Sequence, residues 1–256
     1  MKIVTWNVNS IRARLSRLLD WLIRNQPDIV CLQETKVIDA DFPYTEINAI
    51  GYQCIISGQK SYNGVAILSR NEAKNVISQL PGDPDDKEKR FLSAEISGIQ
   101  IINVYVPNGS EIDSDKYKYK LNWYVRLRKF LDTSFSPEQN LLICGDFNVA
   151  PDDRDVWDVK HWTGQLHFSE PEKEAHKNLV NWGLKDALRL HYSEAGIYTW
   201  WDYRSLGFQR GLGLRIDHIL LTDPLAKRCT DVVIDRNERK GEKPSDHAPV
   251  TAIFTN

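Results

Sequence analysis

Several runs of apolar, strand-forming residues in this sequence end in a carboxylate, an amide or an imidazole. Because the ends of strands lie at the edges of sheets, polar side chains from separate strands can meet there in one cleft, where unpartnered burial is avoided. Six segments carry such side chains, and we interpret them as parts of one site: residues 5–9, 29–36, 102–108, 141–148, 213–220 and 243–250.

The strongest single segment is Gly145-Asp146-Phe147-Asn148. An acid with an amide two residues later pairs a general base with a hydrogen-bond donor to a developing oxyanion. Glu34 ends the apolar run Ile29–Gln33, and a carboxylate in that position is a good ligand for a hard cation. A helix or loop acid is an equally ordinary explanation for Glu34 taken alone.

The other segments each leave two interpretations open. Asn7 shares a strand face with Asn9, although turn asparagines are common. Tyr105 is either a core aromatic or a hydroxyl that faces a phosphate. Asp217 lies inside an apolar strand, so a buried acid there needs a partner such as histidine, unless an arginine or the backbone holds it. The pair Asp246-His247 offers a metal or phosphate contact, or a capped turn.

Together the six segments fit the hydrolysis of a phosphodiester. A divalent metal would bridge carboxylates and a phosphate oxygen, an acid would activate water, and cationic and amide donors would stabilise the transition state.

The elements that must position these residues alternate irregularly between strands and helices. A helix is predicted after Ser10, another over residues 114–133 and a third over 171–182. Apolar and β-branched runs predict strands over residues 2–9, 29–34, 53–57, 64–69, 91–96, 99–105, 141–147, 197–201, 214–221, 231–235 and 249–254, and Ser97-Gly98 predicts a hairpin. Many strands without strict alternation predict an α/β sandwich of two packed sheets covered by helices. We expect one domain over residues 1–256, a length that supports a large core.

Composition limits the function classes. The net charge of −2 excludes binding to nucleic acid by overall charge, so any DNA contact needs local basic patches. Candidates are Arg12, Arg14, Arg17, Lys36, Arg70, Lys116, Lys118 and Lys120. The four cysteines form no C-x-x-C pair and are expected to be reduced and mostly buried. No apolar run is long enough to span a membrane, and we expect a cytoplasmic protein.

The sequence resembles the exonuclease III family of apurinic/apyrimidinic endonucleases over nearly its whole length. The motifs that carry the resemblance occur in the family's order: Trp6-Asn7-Val8-Asn9, Leu32-Gln33-Glu34-Thr35-Lys36, Tyr105-Val106-Pro107-Asn108, Gly145-Asp146-Phe147-Asn148, Arg215-Ile216-Asp217 and Ser245-Asp246-His247. The resemblance implies a four-layer α/β sandwich and a monomeric, Mg²⁺-dependent DNA-repair phosphodiesterase, for which Mn²⁺ could substitute. Its implied partner is double-stranded DNA with 3′ ends, nicks or abasic sites.

The resemblance also implies roles for the site residues. The expected metal ligands are Glu34, Asn7 and Asp246. The expected catalytic residues are Tyr105, Asp146, Asn148, Asp217 and His247, and the expected substrate contacts are Asn108, Lys36, His167, Trp200, Trp201 and Leu214. In this scheme Asp146 activates or holds the attacking water, and Asp217 orients His247 against the phosphate. Trp200, Trp201 and Leu214 wall a pocket for a sugar without its base, unless they are simple core residues.

His167 departs from the family, which usually has glycine or serine there. A bulky imidazole near the DNA predicts a preference for 3′ ends over internal abasic sites, and a tolerated surface histidine is the alternative.

Three competing functions remain: a full apurinic/apyrimidinic endonuclease, a phosphatase acting on lipids or inositol phosphates, and a non-catalytic DNA-binding module. The intact acidic residues disfavour the last of these.

Overall fold

Two six-stranded β-sheets face each other in the computed structural model, which describes residues 1–255. The strands are β1 (Lys2–Asn7), β2 (Ile29–Gln33), β3 (Gln53–Ser57), β4 (Val65–Ser69), β5 (Ala73–Ile77), β6 (Phe91–Ile96), β7 (Ile99–Tyr105), β8 (Leu141–Asp146), β9 (Leu184–Asp186), β10 (Trp200–Trp201), β11 (Gly213–Leu214), β12 (Asp217–Thr222), β13 (Cys229–Ile234) and β14 (Val250–Phe254). The first sheet has the order β13-β14-β1-β2-β4-β3, and the second has the order β5-β6-β7-β8-β12-β9. Strands β10 and β11 form a separate pair.

Each six-stranded sheet is mixed. The pairs β1–β2 and β7–β8 are parallel, and the other described pairs are antiparallel. The predicted hairpin at Ser97-Gly98 is confirmed, because β6 and β7 pair with Ile96 opposite Ile99. The predicted α/β sandwich of two mixed sheets is therefore confirmed.

Helices cover the outer faces of both sheets. The helices of the described chain are α1 (Ile11–Asn25), α2 (Tyr44–Ala49), α3 (Asp115–Ser134), α4 (Val159–Trp162), α5 (Glu170–Val180), α6 (Ala187–His191), α7 (Gly207–Arg210) and α8 (Asp223–Ala226). Ser10 and Ser114 cap α1 and α3, each accepting a backbone N–H of the first turn with its hydroxyl. Helix α1 packs on the first sheet, and α3 and α5 pack on the second, which completes the four layers.

The alternation of side chains along β1 explains how the layers form. Ile3 points between the sheets and packs in the same cluster as Leu142 and Ile219, whereas Val4 and Trp6 point outward to the helix layer. All five are buried, and burying a side chain of this size stabilises the fold by about 1.5–3 kcal/mol. All four cysteines, which lie in the described part, are free thiols.

Two predicted strands differ from the structure. The run predicted over residues 214–221 is split into β11 and β12, because the backbone N–H of Arg215 donates to Asp155 and its guanidinium turns to the Asp155 carboxylate. The strand predicted over residues 197–201 is reduced to Trp200–Trp201. The sequence patterns also missed β5 and the three-residue β9.

The arrangement of strands brings the six polar segments to one edge of the sandwich. Asn7 ends β1 opposite Gln33 of the parallel strand β2, and Tyr105 ends β7 opposite Asp146 of the parallel strand β8. Asp217 begins the antiparallel strand β12 directly opposite Asp146. Among residues 1–255, we find no helix with the length and apolar character needed to cross a membrane.

Candidate active site

Three side chains from separate segments of the chain form the centre of the site. The ligand atoms of Glu34, Asp146 and His247 all lie within 4.8 Å of one another. The amide of Asn7 joins the two carboxylates, because its Nδ2 donates to Glu34 Oε1 at 2.8 Å and to Asp146 Oδ2 at 2.9 Å. The side-chain Oδ1 of Asn7 accepts the backbone N–H of Asn9 at 3.0 Å. Two acidic groups and one imidazole at this spacing suit a divalent cation.

Asp146 and His247 have opposite shifts of pKa. Burial raises the pKa of Asp146 to about 7, and the neighbouring charges of His247 and Asp217 act on it in opposite directions. Burial lowers the pKa of His247, but the carboxylates of Asp217 and Asp146 outweigh this and raise it to about 10. At neutral pH the Asp146 carboxyl group is therefore near the midpoint of its titration, and it lies beside the protonated imidazole of His247.

Asp217 holds His247 in place. Its Oδ2 lies 2.8 Å from His247 Nδ1, which leaves Nε2 facing Asp146 Oδ2 at 3.7 Å. The hydroxyl of Thr199 accepts the backbone N–H groups of Ile216 and Asp217, each at 3.1 Å, and so positions the start of β12. The histidine partner predicted for the buried acid is confirmed.

Tyr105 lies at the end of β7 with its hydroxyl beside Glu34, and Arg90 covers its ring at 4.6 Å from the centroid. Burial and the charge of Glu34 raise the pKa of Tyr105 well above its usual value, so its hydroxyl stays protonated and can donate.

A chain of polar contacts leads outward from Glu34. Lys36 Nζ lies 2.8 Å from Glu34 Oε2 and donates to Asn9 Oδ1 at 2.5 Å. Asn9 Nδ2 donates to Asp246 Oδ1 at 2.9 Å. Asp246 is therefore linked to Glu34 through two other residues and lies outside the 4.8 Å group.

The backbone of the site is strained. Asn9, Glu34, Lys36, Asn148 and His167 have φ values of 45°, 51°, 56°, 50° and 71°, a left-handed region that side chains with a Cβ rarely adopt. Each costs of order 1–3 kcal/mol and persists only where surrounding contacts hold it, as is typical of active sites.

A second group of side chains lies on the other side of Asp146. Asn148 accepts from Asn108 Nδ2 at 3.3 Å and donates to the Val106 carbonyl at 2.9 Å. His167 Nδ1 lies 2.8 Å from the Asn148 carbonyl, which only accepts, so this nitrogen carries the proton. Burial lowers the pKa of His167 to about 4, and its neutral Nε2 faces Asn108 Nδ2 at 3.4 Å.

His167 is only 8% exposed, so the interpretation of a tolerated surface histidine is wrong. Its ring lies 6.4 Å from the ring of Trp200, measured between centroids. Trp200 in turn lies 6.5 Å from the His247 ring and is only half-buried.

The other two predicted pocket residues are interior. Trp201 is fully buried with its ring edge-on to Phe208 at 5.1 Å, which fits the alternative of a core aromatic. Leu214 is also fully buried, and it pairs with Trp200 across β10 and β11. Trp200 is thus the part of this wall that remains accessible.

The sequence analysis missed a buried ion pair beneath the site. Lys120, grouped there with the candidate DNA contacts, is fully buried against Glu172, so that prediction is wrong. Lys120 Nζ donates to the carbonyls of Asn108 at 3.1 Å and Asn148 at 2.7 Å. Glu172 accepts the backbone N–H of His167 at 3.1 Å and belongs to a capping box with Ser169. The Ser-x-x-Glu pattern before α5 was the available signal.

Comparison with known proteins agrees with this geometry. The sequence profile described as Endonuclease/Exonuclease/phosphatase family matches residues 4–247. The chain belongs to this family. Family membership accounts for the ordered motifs, and together with the similarity to an exodeoxyribonuclease and a 3′-5′ exonuclease it confirms the sequence-based expectation of a nuclease. The exodeoxyribonuclease III of Haemophilus influenzae is 38% identical over 266 residues, covering 99% of this chain and 100% of that protein.

Two solved structures of the family superpose on all of this chain and are themselves wholly covered. The 3′ phosphatase NExo from Neisseria, bound to a product DNA hairpin, has a TM-score of 0.96 and 45% identity. An AP endonuclease from Archaeoglobus fulgidus has a TM-score of 0.97 and also 45% identity. Similarity at this level confirms the fold but does not separate the two activities.

Proposed function

We propose that this family member is a Mg²⁺-dependent DNA phosphodiesterase of base-excision repair that prefers 3′ ends, acting as a 3′→5′ exonuclease and 3′-end processing enzyme. The observation that carries the proposal is the buried imidazole of His167 between Asn108, Asn148 and Trp200. The names of the Haemophilus and Neisseria relatives support it. A cytoplasmic location, a monomeric state and one domain over residues 1–256 stay predictions.

The residues at the centre fit a hard divalent cation. Glu34 and Asp146 offer carboxylate oxygens near one another, and oxygen donors are what Mg²⁺ and Mn²⁺ prefer. We assign Glu34 as the principal ligand, with Asn7 orienting it. Asp246, which the sequence predicts as a further ligand, lies outside the group formed by Glu34, Asp146 and His247. When bound, the cation would neutralise phosphate charge and polarise the phosphorus.

The chain's own residues would then carry the proton and hold the phosphate. Asp146 accepts a proton from the water that attacks phosphorus, while the bond from phosphorus to the leaving oxygen breaks. The amide of Asn148, the hydroxyl of Tyr105 and the imidazolium of His247 donate to phosphate oxygens, with Asn108 and Lys36 as further substrate contacts. Fixed donors in a buried site stabilise the developing charge without reorganisation.

His167 sets the size of the group that can enter. Its neutral ring fills space between the Asn108–Asn148 amides and the Trp200 wall. A terminal 3′-phosphate is compact, whereas an internal abasic sugar carries a strand that continues beyond it. The smaller group is therefore favoured.

The substitution His167→Gly tests this preference. We expect incision of a duplex with an internal abasic site to rise by about tenfold or more, which corresponds to roughly 1.4 kcal/mol or more. Removal of a 3′-phosphate at a nick should change by less than about threefold, or roughly 0.7 kcal/mol. Both substrates are measured in parallel with a recessed 3′ end, which controls for loss of folded enzyme. Unchanged incision at the abasic site would contradict the role of His167.

The alternative is a full apurinic/apyrimidinic endonuclease, favoured by the similarity to the Archaeoglobus protein. It predicts that the wild-type chain already incises internal abasic sites as fast as it processes 3′ ends. A phosphatase acting on lipids or inositol phosphates is disfavoured by the names of the relatives and by the half-buried Trp200.

The metal and base assignments are tested together by nucleotide release from duplex DNA. We expect EDTA to abolish release and Asp146→Asn to reduce it by at least about a thousandfold, the scale seen when one member of a catalytic unit is removed. Asp152→Asn is the matched control, because Asp152 lies on the surface beside Arg154. Activity that survives EDTA and Asp146→Asn would refute the mechanism.

A further inference from the structure

Asp246 is the acceptor of two hydrogen bonds that leave neither carboxylate oxygen without a donor. Asn9 Nδ2 donates to Oδ1 at 2.9 Å, and the indole Nε1 of Trp200 donates to Oδ2 at 3.0 Å. A hydrogen bond to an ionised acceptor is stronger than one between neutral groups. The side chain of Asp246 is therefore directed at Trp200 on one side and at Asn9 on the other.

The backbone supports the same connection. Trp201 N donates to the Asp246 carbonyl at 3.0 Å, and Ala248 N donates to the Thr199 carbonyl at 2.8 Å. An isolated antiparallel bridge joins Trp200 to His247. The segment that carries Trp200 is thus paired with the segment that carries Asp246 and His247.

The position of the indole determines how wide the pocket is. The Trp200 ring lies between two imidazoles, 6.4 Å from His167 and 6.5 Å from His247. A small tilt of the ring would change the space between it and both histidines. The Nε1 hydrogen bond is the directional contact that sets this tilt, since Trp200 is only half-buried.

We propose that Asp246 is a positioning residue that fixes Trp200 and thereby determines which 3′ group the pocket accepts. Asp246 is itself held through Asn9 and Lys36, which connect it to Glu34. This inference rests on the proposed function, because the selectivity it explains is that of the 3′-end pocket. It differs from the predicted role of Asp246 as a metal ligand.

A double-substitution cycle tests the proposal with Trp200→Phe, Asp246→Asn and the two combined. Trp200→Phe removes the indole donor and keeps an aromatic ring. Trp162→Phe is the matched control, because the Trp162 Nε1 is buried and has no hydrogen-bond partner in the described part of the chain. For each protein, kcat/KM is measured on a 3′-phosphate at a nick and on an internal abasic site. Mg²⁺ affinity is measured by calorimetry.

We expect each single substitution to lower the ratio of 3′-phosphate to abasic-site activity by about tenfold, the effect of one charge-assisted hydrogen bond. The combined variant should lose no more than either single one, because both act on the same contact. Mg²⁺ affinity should fall by less than about tenfold in Asp246→Asn, because a carboxylate that acts on the cation across solvent contributes only about 1 kcal/mol. Trp162→Phe should match the wild type.

Three results would overturn the inference: additive losses, a ratio that stays at the wild-type value in Trp200→Phe, or a loss of Mg²⁺ affinity above tenfold confined to Asp246→Asn. The last result would assign Asp246 to the metal. Failure of the proposed function is separate, because it shows in the wild-type protein alone. The wild type would then process none of the DNA substrates, or would incise the internal abasic site as fast as it processes 3′ ends.

Discussion

At the scale of single residues, the types of the central side chains were predictable and their surroundings were not. Asp146 stands out in its Gly-Asp-Phe-Asn segment, whereas Glu34 becomes informative only together with the other segments. The prediction of a DNA contact at Lys120 is wrong, and so is the alternative of a surface histidine at His167, because a sequence pattern does not show which side chains another segment covers. Lys120 is covered by Glu172, which follows it by fifty-two positions in the chain.

The Lys120–Glu172 pair gives a prediction about stability. Lys120→Met leaves the Glu172 carboxylate buried without its cation, which we expect to cost about 3–5 kcal/mol of unfolding free energy. The His167 and Ser169 N–H groups donate to different oxygens of Glu172. Adding Glu172→Gln removes the charge and keeps one of these two acceptors, so the double variant should regain part of the loss. Urea unfolding measures the unfolding free energy of the single and the double variant.

Lys118→Met is the matched control on the same helix. Its side chain is 71% exposed and pairs with the exposed Asp115, so its removal should leave the unfolding midpoint unchanged. A double variant as unstable as Lys120→Met would contradict the explanation from unpaired charge.

At the scale of elements, the parallel strand pairs β1–β2 and β7–β8 explain why the polar side chains meet at one edge of the sandwich. The sequence predicted nearly every long strand and helix, including α1 with its Ser10 cap. The order of the strands could not be predicted, because β1 pairs with β14 and β2 with β4 through contacts far apart in the chain. Local patterns fix an element's type, whereas pairing depends on tertiary packing.

Gly145 controls how closely β8 approaches β7. Its φ is 151°, and a Cβ built there would lie 1.8 Å from the Val104 carbonyl oxygen on the neighbouring strand. We expect Gly145→Ala to separate the strands, to cost about 4 kcal/mol of unfolding free energy and to displace Asp146. Chemical denaturation and Mg²⁺ calorimetry would detect these two effects.

Gly196→Ala is the comparison, because Gly196 also has a positive φ but its added Cβ would meet nothing within 4 Å. It should show only the cost of a left-handed backbone, about 1–2 kcal/mol. Equal losses in the two variants would show that backbone conformation, and not strand approach, determines the effect.

At the scale of the whole molecule, several buried histidines link stability to pH. Burial lowers the pKa of His176 to about 3, and His218, Arg215 and Asp186 act on it as neighbouring charges. The unfolded chain binds a proton on this imidazole near pH 6.5, whereas the folded chain does not. Its contribution to stability is present above pH 6.5 and is lost as the pH falls toward 3.

His176→Leu should therefore flatten the dependence of stability on pH. Between pH 6 and pH 4 we expect the slope of unfolding free energy to decrease by about 1 kcal/mol per pH unit, because one proton less is taken up on unfolding. Asp146 has the opposite sign, since its raised pKa favours the folded state as the pH falls, but it contributes equally to both proteins. The exposed His191→Leu serves as control, and an unchanged slope in His176→Leu would contradict the prediction.

The place of β14 has a consequence for synthesis of the chain on the ribosome. This strand, over Val250–Phe254, lies between β13 and β1, so the strand that ends in Asn7 has no neighbour on that side until residues near 250 have emerged. His247 joins the site from the same late segment. A nascent chain that stops earlier therefore has no complete site, which delays nuclease activity until translation of this region is finished.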